Sequence, residues 1–319
     1  MEKKFSFLQF AAVLLACTAL VSTGIWLYVN RLSTALGRET TLALQEFSAQ
    51  DAKHIEMQVK EDLDLLSSIA ASISILPEPT EEELLQLLQV ERTQNHFKHM
   101  EFVRPDGVAQ LDNGTVLDLS KENHFQQALE GTRNISPRLQ DYVDNDSILV
   151  EATPITHQQK IIGVLMAARN TADFAQMLDM QSFNGNGYSL LVAANGDKVI
   201  ESFHKDAISG LYNIFDMPDD PDHKLRQQVL QDFAARKSGV VKYQSKKRGT
   251  LYISYQPVGI NDWYVISVVP EQFITQITQQ FITLLPLLCV LIALAAFLLG
   301  GYMWYVWPLL KQSITHPEE

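Results

Sequence analysis

Cysteine is nearly missing from this chain of 319 residues: only Cys17 and Cys289 occur. Each lies in a stretch that also lacks charge, so no disulfide can staple the long segment between them, which is large enough to bury a core without one. Charge is the second absence. Phe5–Val29 and Phe281–Trp307 contain no Asp, Glu, Lys or Arg, and none occurs anywhere between Glu271 and Lys311. A bilayer core of ~30 Å needs about 20 helical apolar residues, so the sequence predicts two transmembrane helices, at 5–29 and 281–307. Positive charge is also scarce: 25 Lys and Arg against 37 Asp and Glu leave a net −12. The terminal pieces (Glu2, Lys3, Lys4 and Lys311, Glu318, Glu319) cancel, so residues 30–280 carry that whole charge. Such acidity excludes nucleic acid, whose binding requires neutralising phosphates, and a flat seat on anionic lipid. Catalytic signatures are missing as well. No Gly-Lys-Ser/Thr phosphate loop, His-Glu-x-x-His or Gly-x-Ser-x-Gly occurs; neither an enzyme nor a cofactor is expected.

Lys3 and Lys4 precede the first span and Lys311 follows the second, so the positive-inside rule places both termini in the cytoplasm and 30–280 outside the inner membrane. A cleaved signal peptide has a shorter apolar core and a small-residue cleavage site. Leu14-Leu15-Ala16-Cys17 faintly resembles a lipoprotein site, but cleavage there would leave Thr18–Val29 exposed on the mature N-terminus. An uncleaved anchor fits better.

Within the exported segment, Ile55, Val59, Leu63, Leu66, Ala70 and Ile73 recur at steps of three and four, the stripe of an amphipathic helix. Pro and Gly are absent from Arg38–Leu76, so one long helix is expected to leave the first span and stop at Pro77 and Pro79. Thr80 and Glu83 form a capping-box pattern ahead of a second helix. Strands are then expected at Phe97–Val103 and Val108–Leu111 around Pro105-Asp106-Gly107, followed by a short helix at about His124–Glu130. Further strands follow at Ile135–Gln140, Ile148–Pro154 and Ile161–Ala168. A second unit repeats this grammar: Tyr188–Ala193, the turn Asn195-Gly196, Lys198–Glu201, a helix at about His223–Lys237, then strands at Gly239–Tyr243, Thr250–Pro257 and Trp263–Val269. A hairpin tip at Lys246-Lys247-Arg248-Gly249 and a helix from Glu271 into the second span complete it. Phe102–Gly107 overlays Leu191–Gly196, and the hairpin pair after Ser147 overlays that after Thr250. Two antiparallel-sheet modules in series, at about 80–180 and 181–270, make an α+β fold.

This layout resembles the double Cache, or tandem PAS-like, sensor domain of bacterial membrane receptors, most similar to those on diguanylate cyclases. The resemblance is carried by the long first helix, His124–Gly131 with Ile135-Ser136, Ala152–Ile155 with Gly163-Val164-Leu165, and Tyr255–Val258 with Trp263–Pro270. It implies that the membrane-distal module binds a small extracellular ligand and that the first helix dimerises. The amino-acid-binding subgroup has an Arg shortly before the phrase containing Phe125 and an Asp after the strand beginning at Gly163. Glu122 and Ala168 stand near those places here, so an amino-acid ligand is not implied.

Arg138 and Glu151 would face each other across a hairpin centred on Asp144 and Asn145. They form either a polar floor for a ligand or, more simply, a cross-strand ion pair contributing ~0.2–1 kcal/mol. His124 and Tyr142 would border the same pocket, or sit exposed in loops. Asp141, Asp144 and Asp146, and Asp216, Asp219, Asp220 and Asp222, raise calcium, but neither cluster has the spaced loop pattern; solvated turn carboxylates fit better. His96 and His99 would point to opposite strand faces, so no metal is expected. The expected function is a ligand-sensing, homodimeric transmembrane receptor. Only Pro308–Glu319 follow the second span, so its kinase, cyclase or chemoreceptor output would lie in a missing part or a separate cytoplasmic partner. A tethered scaffold that transmits nothing is the alternative.

Overall fold

The structure is a computed structural model that describes residues 7–76, 80–111, 115–178, 186–205, 207, 212–216, 224–245, 249–271 and, except for 293, 296 and 299, 290–302. The chain divides into two compact units, Met1–Thr41 with Gln272–Glu319, and Leu42–Glu271.

Helix α1 runs from Phe7 to Ser74, which contains the expected helix of the first exported residues. Along it Leu44, Ser48, Asp51, Ile55, Val59, Asp62, Leu66, Ile69 and Ile73 are all buried. Their steps of three and four place them on one face, and each fully buried aliphatic residue there contributes ~1.5–3 kcal/mol. Helix α2 (Glu81–Gln94) starts with the expected capping box: Thr80 Oγ1 accepts from the Glu83 N–H, and the Thr80 N–H donates to Glu83 Oε2 at 2.9 Å.

The distal module contains β1 (His99–Val103), β2 (Val108–Gln110), β3 (Val116–Asp118), α3 (Asn123–Leu129), β4 (Asn134–Ile135), β5 (Leu139–Gln140), β6 (Ser147–His157), β7 (Lys160–Asn170) and α4 (Thr171–Leu178). Its sheet has the order β3-β2-β1-β7-β6-β4, with β5 also on β6, and the pairings are antiparallel. The β6–β7 hairpin turns through Gln158 and Gln159, both at positive φ, the two-residue geometry that matches strand twist. The single strand expected at Ile135–Gln140 is two short ones. Pro137 has no N–H for the ladder, and across it the register changes from Ile135↔Glu151 to Leu139↔Ile148. In both registers Glu151 pairs with or near Ile135, so Arg138 does not lie opposite it, as the expected hairpin centred on Asp144 and Asn145 would have required.

The proximal module contains β8 (Tyr188–Ala193), β9 (Lys198–Ile200), a single 3₁₀ turn at Ile214–Asp216, α5 (Lys224–Ala234), β10 (Gly239–Ser245), β11 (Gly249–Pro257) and β12 (Trp263–Pro270), in the order β10-β11-β12-β8-β9. The repeat holds strand for strand: β1 with β8, β2 with β9, β6 with β11 and β7 with β12. The turns correspond too, since Gly107 and Gly196 lie at φ +87° and +90°. A Cβ on Gly107 would strike the Ser120 backbone, and one on Gly196 would strike Asn213 and Phe215. Strand β3, helix α4 and the 3₁₀ turn are additional to the expected elements.

Several expectations fall on residues outside those described: the tip at 246–248, Asp219, Asp220 and Asp222, Cys289, and the helix following Glu271 into the second span. Among the described residues, no helix is long and apolar enough to cross a membrane.

Each sheet has two apolar faces. One face of both packs on α1. Leu149 of the distal sheet shares a cluster with Ile55, Val59, Leu191 and Val265, and Leu165 and Ala167 share another with Leu66, Ile69 and Ile73. The outer faces are separate cores, with Phe125, Val103, Val164 and Met166 beneath α3, and Tyr188, Val229, Phe233, Tyr264 and Ile266 beneath α5.

Candidate functional site: two cavities and a buried polar cluster

Strand alternation decides which side chains reach which face. Ile148, Val150 and Ala152 face the outer distal core, so Glu151 points the other way, toward α1. Arg169 of β7 points there too, and its Nε and Nη2 donate to the two oxygens of Asp62 on α1 at 3.1 and 3.0 Å. Glu151 is 1% exposed. Burial, and then the neighbouring Asp62 charge, push its carboxyl well above the ordinary range. Neither Glu151 oxygen has a hydrogen-bond partner among the described residues. Burial raises Asp62 as well; its paired bonds to Arg169 keep it the ionised partner, and Glu151 holds the proton. Thr153, two residues further along β6, lies 3.3 Å from Ser67 of α1.

The proximal sheet meets α1 in a similar way. Ser48 donates to Ser267 at 3.0 Å, Ser189 donates to Asp51 at 2.8 Å, and Ser189 and Ser267 are 2.9 Å apart in register on β8 and β12. Both modules are thus keyed to one helix by buried polar groups.

The four residues singled out from sequence do not converge. His124 and Arg138 line a cleft of about 410 Å³ between the modules, with Asn134, Tyr212, Asp262 and Trp263. His124 is buried, and burial pushes its imidazole below the ordinary value. Arg138 instead meets Glu201 of the proximal module: its Nη1 donates to Glu201 Oε1 at 2.9 Å, and its Nε and Nη2 donate to Ser147 Oγ at 3.0 and 2.8 Å. Tyr142 is 60% exposed and donates to Glu122 at 3.0 Å. Glu151 lies on the opposite sheet face from His124. Ala168 is part of the outer distal core.

In the distal acidic turn Asp144 and Asp146 are exposed, as expected of turn carboxylates, while Asp141 is buried. Lys98 Nζ sits 2.9, 2.7 and 2.9 Å from Asp141, Asp144 and Asp146, and His99 Nε2 is 2.9 Å from Asp141. Burial would raise the Asp141 carboxyl, but hydrogen bonds from Lys98, the Val143 N–H and His99 hold it at about 2. Lys98 supplies the charge for which a cation was considered. Among the described residues, no group of three or more His, Cys, Asp or Glu side chains could hold a metal.

The second cavity was not foreseen. About 300 Å³ lies between the proximal sheet and α5, lined by Tyr188, Leu190, Val229, Tyr243, Ile253 and Ile266, with Lys198, Glu201 and His204 on one side. Its sequence signal is the inward tyrosines of β8, β10 and β11, which in a lone sequence read as ordinary strand aromatics.

Two antiparallel sheets on a common helix, each with a helix-covered outer face, define a tandem PAS-like binding domain. Residues 114–283, more than half of the chain, match the Cache 3/Cache 2 fusion domain, and the chain belongs to that family of double Cache sensor domains. Solved structures agree on the fold. The ligand-binding domain of the Pseudomonas aeruginosa PAO1 amino acid chemoreceptor PctC, in complex with GABA, is 18% identical with a TM-score of 0.53, over 72% of this chain and 100% of that one. The sensory domain of the Campylobacter jejuni chemoreceptor Tlp3 (CcmL) with isoleucine bound is 16% identical with a TM-score of 0.58, over 76% and 97%. The ligand-binding domain of the Pseudomonas fluorescens chemoreceptor CtaA with L-isoleucine is 15% identical with a TM-score of 0.60, over 76% and 98%. At such identity the likeness speaks for the fold alone. No curated protein matches the chain significantly.

Proposed function

We propose that this protein is a sensor rather than an enzyme: a two-pass inner-membrane receptor whose exported double Cache domain binds a small extracellular molecule and signals to a cytoplasmic partner or output region. The observation that carries this reading is the seating of both sheets on one helix. A ligand that repacks either module acts on α1 through Asp62–Arg169 or through the Ser48, Asp51, Ser189 and Ser267 cluster. A coupling of ~1–3 kcal/mol is typical of such linkage. The membrane placement is supported by large apolar side chains left in the open outside the sensor unit, including Leu20 at 73% and Trp26 at 65% exposure, with Val290, Leu294 and Leu298 likewise exposed. The amino acids bound by chemoreceptor relatives make small metabolites a reasonable ligand class. The missing Arg and Asp of the amino-acid-binding pattern argue against a free amino acid.

The test is a metabolite screen on the full chain in nanodiscs, read by thermal shift. A bound ligand raises the melting temperature by mass action, and light scattering is expected to give a homodimer. A broad screen without a single shift overturns the receptor reading.

A further inference from the structure

The proximal cavity has the features of a binding site. Its volume of about 300 Å³ lies at the lower end of ligand pockets and is twice the ~150 Å³ that admits benzene in an apolar core. One ring with a short side arm fits. One wall is held independently of any occupant. Tyr255, which lines the cavity, donates to Asp232 on α5 and packs edge-on against Phe233 at 5.7 Å, and Phe233 in turn stacks on Tyr264 at 3.8 Å. Such pre-organisation lowers the ordering cost of binding.

Polarity is confined to one side, where cations predominate. Lys198 is 4% exposed at its side chain and stands 3.9 Å from Glu201 Oε2. Arg226 lines the same cavity, its guanidinium 5.7 Å from the Phe215 ring. Among the described lining residues the carboxylate on this side is Glu201, which already accepts from Arg138 of the distal module at 2.9 Å. Burial penalises the Lys198 ammonium, and an anion beside it would offset that penalty.

We infer that the proximal cavity binds a small apolar monocarboxylate, an aryl or short-chain acid, with its body among Tyr188, Leu190, Tyr243 and Ile266 and its carboxylate beside Lys198. The inference names a ligand class for the receptor reading and rests on it only for signalling. An anion drawn to Lys198 competes with Glu201, and Glu201 holds Arg138. Occupancy of the proximal module is thereby felt in the distal one.

The experiment is calorimetric titration of the full chain in nanodiscs with 3-phenylpropionate and hexanoate, using 3-phenylpropanol and phenethylamine as neutral and cationic counterparts. The acids are expected to bind at least tenfold more tightly than the alcohol, and the amine not at all. Lys198→Met should erase the preference for the acids while leaving the alcohol unaffected. Val241→Phe, which fills the cavity, should abolish binding of both; Val241→Ile, a milder filling, should weaken both severalfold if the larger change prevents folding. Failure of both acids to bind, or acid affinity unchanged in Lys198→Met, overturns the proposal. Screen hits whose melting shifts are unchanged in Val241→Phe or Val241→Ile, together with failure of both acids to bind, would overturn the proximal site while leaving the receptor reading standing.

Discussion

The distal and proximal sheets share strand order, turn chemistry and a back face on α1, yet their outer faces are furnished differently. Beneath α3 the distal sheet is filled by its own chain, with Phe125, Leu119, Ala128, Val164 and Met166 in one cluster. Beneath α5 the proximal sheet has larger aromatic walls and a cavity of about 300 Å³. Among the described residues, one scaffold thus carries a packed cluster under the seven-residue α3 and a cavity under the eleven-residue α5. The contacts to α1 differ as well: a charged cluster around Arg169 distally, neutral serines with Asp51 proximally.

The comparison breaks most readily at the charged seam. Arg169→Ala leaves Asp62 buried without its cation beside Glu151 and should cost about 3–5 kcal/mol in urea unfolding. Ser267→Ala in the proximal seam, which removes one neutral hydrogen-bonding group, should cost only ~1 kcal/mol. Phe125→Ala tests the packed face and should cost about 3–5 kcal/mol. Val241→Ile adds a methylene where space exists and should change stability by less than ~1.5 kcal/mol. Equal penalties for these two would erase the packed-versus-hollow distinction. The matched turns give the next effect: Gly107→Ala and Gly196→Ala should each cost ~1–3 kcal/mol, since both force a side chain into the left-handed region.

The smallest effect is one of pH. Glu151 has a raised folded-state pKa, so the folded state binds more protons than the unfolded one above pH 4.5. Its contribution is full below that value and is lost as pH rises toward the folded pKa. Asp141 behaves oppositely: its contribution is present above the ordinary value of 3.8 and is lost as pH falls through about 2. Urea titrations across pH should therefore show Glu151→Gln flattening the loss on the alkaline side alone. Asp141→Asn should remove only the loss on the acidic side.

Much of the architecture was legible in residue order. The α1 stripe follows from helical periodicity, the capping box from Thr80 and Glu83, and the paired turns from Gly107 and Gly196, because each depends on neighbours within a few positions. The break at Pro137 was local too, but the pairing on either side of it was not: neither Ile135↔Glu151 nor Leu139↔Ile148 sets Arg138 opposite Glu151. The site residues fared worse for the same reason. His124 and Arg138 do share a cleft, whereas Tyr142 meets Glu122 and Glu151 faces α1.

The sequence by itself determined the repeat and the long helix, since periodicity and turn chemistry are written along the chain, and its ordered phrases carried the resemblance to the family. The tertiary structure alone decided that Glu151, Asp62 and Arg169 meet, that Lys98 pairs with three carboxylates of the acidic turn, and that a cavity opens beneath α5. Those outcomes depend on strand parity, register and summed side-chain volume between elements far apart in the chain, none of which a local pattern encodes.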